Sequence, residues 1–162
     1  MLKILDMMLT INYIAMDGGS SMPYREKIAW LSLTAMVVTF GPYFTIAALH
    51  VLPSEPMPNL RQLGWFAVTA MVQMVILGVG HWYLRSGAGA EARLPLDERD
   101  EAISRRSMSW AYYVLIGGMI VVGCVMPFKS SGWAIVNAAL FMIIAAEMVH
   151  YGVVVFSYRR QA

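Results

Sequence analysis

Four long apolar stretches set the pattern of this chain, and short polar segments separate them. They run about from Ile28 to Leu52, Leu63 to Leu84, Ser109 to Phe128 and Gly132 to Tyr158. Each reaches the roughly 20 residues that a helix needs to cross about 30 Å of hydrocarbon. The pattern predicts an all-α membrane protein, a bundle of four transmembrane helices spanning residues 22–162. Residues 85–108 form the one sizeable loop.

Punctuation between the runs refines this. Gly41-Pro42 lies inside the first span, where a proline removes a backbone donor and predicts a kink. Pro53, Pro56 and Pro58 make the following loop stiff. Met126-Pro127-Phe128 closes the third span, and Lys129-Ser130-Ser131-Gly132 turns at once into the fourth, so these two form a tight antiparallel hairpin. In the central loop, Gly87-Ala88-Gly89-Ala90 is a flexible sequence. Asp97 then caps a helix whose first turn is acidic and which continues into the third span. Before all of this, residues 1–21 carry apolar positions bracketed by Asp6 and Asp17, too short to span. They read either as an interfacial segment or as an extension ahead of a start at Met22.

Charge decides the orientation. Lys3, Arg25, Lys27, Arg85, Arg93, Arg99, Arg105, Arg106, Arg159 and Arg160 fall on one side of the spans, against Arg61 and Lys129 on the other. Ten against two in short loops predicts that both termini and the central loop are cytoplasmic, in the cell (inner) membrane. With 59% hydrophobic residues and a net charge of +2, the chain has no separate soluble domain and no feature of direct nucleic-acid binding. The lone Cys124 excludes an internal disulfide and a Cys-based zinc site.

The two halves look alike. Tyr24-Arg25-Glu26-Lys27 precedes span one as Glu98-Arg99-Asp100-Glu101 precedes span three. Spans two and four carry His81 and His150 and end at basic residues. This suggests two repeated helical hairpins in parallel. The stretch Leu96-Asp97-Glu98-Arg99-Asp100, followed by Ile103 and a span, resembles a family of small uncharacterised four-span membrane proteins of bacteria and archaea. That family is marked by Asp-Glu-Arg-Glu/Asp before the third span. The resemblance covers chiefly residues 95–125. It implies the four-span architecture and, because such proteins are often encoded beside a small helix-turn-helix regulator, a cytoplasmic regulatory partner.

Polar residues inside the spans are the candidates for chemistry. Glu147 lies near the middle of span four, where an ionised carboxylate is costly. It should be protonated, paired or facing a polar cavity. His150 is one turn away on the same face. The pair reads as a structural hydrogen bond, as a proton or ligand site, or, with His81, as a metal or haem ligand set. Glu-x-x-His serves di-iron bundles when present twice, but here it occurs once. His50 sits near the other end of span one and reads as interfacial. Gln73 in span two needs a partner, with Glu147 and Asn137 as candidates. Ala138, Ala145 and Gly152 recur every seven residues, beside Ala139 and Ala146. They form a small-residue seam roughly opposite Glu147, as Gly117, Gly118 and Gly123 suggest close packing in span three. If neither the seam nor the polar pair faces lipid, span four is covered on two sides, by its own bundle or by a second subunit.

No phosphate loop, nucleophile elbow or zinc pair is present, and no lysine within a span could carry a Schiff base. The expected activity is therefore non-enzymatic, sensory or regulatory through a protein partner, without a cofactor and as a homo-oligomer in the bilayer. The alternatives are a small proton-coupled transporter oligomer using Glu147, and a haem- or metal-binding redox protein using His150, His81 and Glu147.

Overall fold

In the computed structural model of the protein, the described residues are 22–49, 58–89, 95, 97–130 and 132–160. The 1–21 segment, His50, Pro53, Pro56, Arg93, Leu96 and Ser131 lie outside them. The described residues form four long helices, each long and apolar enough to cross a membrane, and no strand.

Helix α1 is Tyr24–Ala48. Pro23 precedes it, where a missing N–H costs nothing and a fixed φ of −53° leads into the helix. Its carbonyl accepts from the Glu26 and Lys27 amides at 3.0 and 3.2 Å. The helix continues through Pro42 to Ala48, ending short of Leu52, and the Leu49 amide closes its last turn on Thr45. Helix α2 is Leu60–Ala88. Asn59, 1% exposed, caps it by accepting from the Gln62 amide at 3.0 Å. Gly89, at φ +52°, follows its last residue in a conformation that L side chains rarely adopt.

Helix α3 is Glu98–Ile120. It begins where Asp97 accepts from the Glu98 amide at 2.7 Å, with Glu98, Asp100 and Glu101 against the positive end of the dipole. The helix thus starts well before the apolar run, because a helical ladder need not stop at the membrane surface. At its other end it widens into a π-helical turn at Val121–Val125 and tightens into a 3-10 turn at Met126–Phe128. Pro127 has no amide to donate and so cannot extend the regular ladder. The Met126 carbonyl then accepts from Lys129 and Ser130 at 2.9 and 2.7 Å. Gly132, at φ +60°, supplies a backbone turn that a β-carbon would strain. Helix α4, Trp133–Arg159, follows directly.

Two antiparallel hairpins, α1/α2 and α3/α4, meet through a face between α1 and α4. The order across the molecule is α2, α1, α4, α3. Two parallel repeats closed around an axis would give an α2–α3 face as extensive as the α1–α4 face, and no such face forms among the described residues. Close approach is local. A Cβ on Gly80 of α2 would overlap Leu31 of α1, and one on Gly118 of α3 would overlap Met142 of α4. Away from the Arg25 end, Phe40, Tyr43, Phe44, Phe66 and Phe141 join α1, α2 and α4 through tilted and edge-to-face contacts, with centroids 5.1–6.3 Å apart.

Candidate functional site

Apart from the Asn59–Gln62 cap of α2, the described polar side-chain contacts between helices gather in two zones. The first lies at the basic end, where α1 and α3 begin and α4 ends. Asp100, in the first turn of α3, is its centre. One carboxylate oxygen lies 3.0 Å from Arg25 Nε of α1, and the other accepts from the hydroxyl of Tyr158 on α4. Both oxygens are used, and hydrogen bonds to an ionised acceptor are the stronger kind. Tyr158 is 5% exposed, and the Arg99 guanidinium stands 5.7 Å from its ring centroid. One short carboxylate therefore fastens three helices.

Beside it, Arg159 of α4 reaches Glu26 of α1 at 3.7 Å and covers the Trp30 ring at 5.1 Å. Glu26 is buried, yet it stands in the first turn of α1, where the helix dipole favours a carboxylate. Exposed Glu101 and Arg105 pair along α3 at 2.6 Å, one helical turn apart. Between the start of α1 and the end of α2 opens a cavity of about 320 Å³, lined by Tyr24, Lys27, Tyr83 and Ser86 among others.

The second zone lies along the apolar parts of the helices. Thr39 Oγ1 is 2.8 Å from the Ala35 carbonyl and 2.6 Å from the Gln73 side-chain oxygen. A hydroxyl has one hydrogen and cannot donate to both. With the Gln73 amide turned by 180°, its nitrogen donates to Thr39 and Thr39 donates to Ala35, which also gives the buried Gln73 Nε2 a partner. Farther from the basic end, the Tyr43 hydroxyl donates to Asn137 Oδ1 at 2.9 Å. So Gln73 pairs with Thr39 and Asn137 with Tyr43, rather than with each other or with Glu147. Both bonds pass through α1.

Glu147 stands at the midpoint of α4, exposed, with no hydrogen bond or ion pair among the described residues. His150 is half-buried and meets the Tyr151 ring edge-on at 4.9 Å. The ring nitrogen Nδ1 of His81 lies 2.8 Å from the Leu77 carbonyl. Among the described residues no three His, Cys, Asp or Glu side chains are grouped so as to hold a metal ion. Cys124 is exposed in the π-helical turn.

The small residues divide. Gly118 is buried at the α3–α4 crossing and Ala146 is buried, while Ala138 and Ala145 are half-buried. Gly117 is exposed, and a Cβ there, or on Gly123 or Gly152, would meet nothing within 4 Å. Of the acidic motif, Asp97 caps α3, Glu98 and Arg99 are exposed, and Asp100 turns inward.

Sequence reasoning alone did not reach Arg25, Glu26, Tyr158, Arg159, Thr39 or Tyr43 as partners. A usable signal exists for α1. Ser32, Ala35, Met36, Thr39 and Tyr43 fall at helical spacing on one stripe of small and polar residues, the composition that membrane helices bury. Chemically, the basic end can hold three helices together; the described residues offer no nucleophile paired with a base. No protein-family model, no curated protein and no solved structure matches this chain.

Proposed function

We propose that this chain is a non-enzymatic, multi-pass protein of the cell (inner) membrane that acts through a soluble protein partner at its basic end, in a sensory or regulatory role. The observation that carries this reading is the fastening of Asp100. The segment preceding the third span is not a loose loop but the first turns of a continuous helix, tied by one carboxylate to α1 and α4. Glu98, Arg99, Glu101, Arg105 and Arg106 remain exposed on that helix, a mixed-charge face suited to a protein partner. A partner that engages this face acts on the same few residues that hold the bundle's end together. The resemblance in the Leu96–Asp100 motif points the same way.

The excess of Lys and Arg at this end supports a cytoplasmic location for it and for both termini. With Cys124→Ala as background, a cysteine at Ser86 should label only from the cytoplasmic side and one at Lys129 only from outside; the reverse pattern would refute the orientation. The partner is tested by affinity capture of the tagged protein from cross-linked cells. A soluble protein recovered with the parent and lost with Glu98→Lys/Glu101→Lys supports the reading. Recovery of lipid and the chain alone sinks it.

A second reading is a proton-coupled transporter oligomer, favoured by the exposed carboxyl of Glu147 at mid-helix. Its test is proton-linked uptake in vesicles, abolished by Glu147→Gln. A haem or metal redox role would rest on His150, His81 and Glu147. A visible absorption spectrum of the purified protein decides it.

A further inference from the structure

We propose that the Glu147–His150 face of α4 is where a second copy of this chain packs, with Glu147 hydrogen-bonded across the interface to its counterpart. The inference rests on α4 spanning the membrane and not on the cytoplasmic partner, so failure of the partner reading leaves it standing.

Among the described residues, four other polar side chains within the spans are satisfied between helices, although the buried Ser32 hydroxyl is not. Thr39, Gln73, Tyr43 and Asn137 each find a partner on a neighbouring helix. Glu147 does not. It sits at the centre of α4, on a side that α1 and α3 leave open, and it is exposed. Hydrocarbon offers no hydrogen-bonding group, so a carboxyl facing lipid at that depth carries the cost of an unmet polar group even when protonated. Another helix must supply the partner.

A copy of the same chain fits this need by its own chemistry. A protonated carboxyl is both donor and acceptor, and a neutral imidazole is both as well. His150 lies one turn along the same face, about 4.5 Å nearer the basic end by the helical rise. A two-fold axis along the membrane normal sets each residue at the depth of its counterpart. Each Glu147 then meets the other Glu147, with the other His150 within side-chain reach. Every donor has an acceptor, and no third component is needed. Exposed Ile143, one turn away, adds an apolar contact on the same face.

The test is disulfide trapping in native membranes with Cys124→Ala as background. Ile143→Cys places a thiol on the proposed interface. Val75→Cys places one on the exposed face of α2. Oxidation should give a covalent dimer with Ile143→Cys and little with Val75→Cys. Adding Glu147→Leu should weaken self-association in detergent by about tenfold, whereas Glu147→Gln, which keeps a donor and an acceptor, should retain the dimer. Trapping that fails at Ile143, or that is equal at Val75, overturns the proposal. So does a dimer that Glu147→Leu leaves as tight as the parent. Should Glu147→Leu fail to fold, the trapping at Ile143 and the retained dimer of Glu147→Gln still decide.

Discussion

Helices α1 and α2 are antiparallel neighbours of similar length, yet 28% of the most apolar window of α1 is buried against 6% of that of α2. The less buried helix is the more apolar of the two. In water this would be a contradiction. In a membrane it is expected, because lipid tails solvate Val, Met and Leu as well as a protein interior does, and apolar area gives no preference between them. What draws α1 to the centre is what lipid cannot provide: room for close contact at Ser32 and Ala35, both fully buried, and partners for Thr39 and Tyr43. Helix α2 offers chiefly Gln73 and the Asn59–Gln62 cap, and most of its large side chains remain outside.

Six substitutions, in three pairs, test this contrast, read by thermal or denaturant unfolding in mild detergent. The largest effect should come from Ala35→Leu, which drives a branched side chain into the packed face of α1. We expect a loss of about 2–3 kcal/mol, while Ala67→Leu on the exposed side of α2 should stay near zero. Equal effects would break the comparison outright. Next is Asp100→Ala. It leaves Arg25 and the Tyr158 hydroxyl without their shared acceptor and should cost about 2 kcal/mol, less than a fully buried pair because both ion-pair partners keep some solvent contact. Arg85→Ala at the exposed end of α2 should change stability by less than about 0.5 kcal/mol.

Thr39→Val should cost about 1 kcal/mol, since it strands the buried Gln73 amide. Gln73→Leu removes the same interhelical bond but strands nothing, because Thr39 still donates to Ala35. Its cost should be smaller, below about 0.5 kcal/mol. The order of this last pair is the sharper measurement: if Gln73→Leu proves the more damaging, Gln73 has a further partner on α2's open side and that helix is less peripheral than its burial suggests.

Much of the architecture was legible because crossing a bilayer demands long apolar helices, and four runs met that demand. The start of α3 was legible too, since Asp97 and the acids after it are local signals for a helix N-terminus. The arrangement of helices was not, because hydropathy is silent where lipid and protein are equivalent solvents. Asp100 stood out within its motif, but Arg25 and Tyr158 lie 75 and 58 positions away in opposite directions, and no local pattern links them. Glu147 stood out for the opposite reason: its anomaly is local, a carboxyl amid apolar neighbours. Among the described residues, none covers it. Similarly, Pro127 announced the end of span three, but not the widened turn that precedes it.

The rigid run of α3 from Glu98 to Gly118 has a mechanical consequence. It is one helix, held at one end by Asp100 and braced near the other where Gly118 meets Met142. A helix of that extent is a lever arm about 30 Å long, so a tilt of about 5° at the brace moves its fastened end by about 3 Å. That distance is as long as the Arg25–Asp100 contact itself. A small rotation deep in the bilayer is therefore enough to part the contact at the surface, and a pull at the surface bears on the brace within the bilayer.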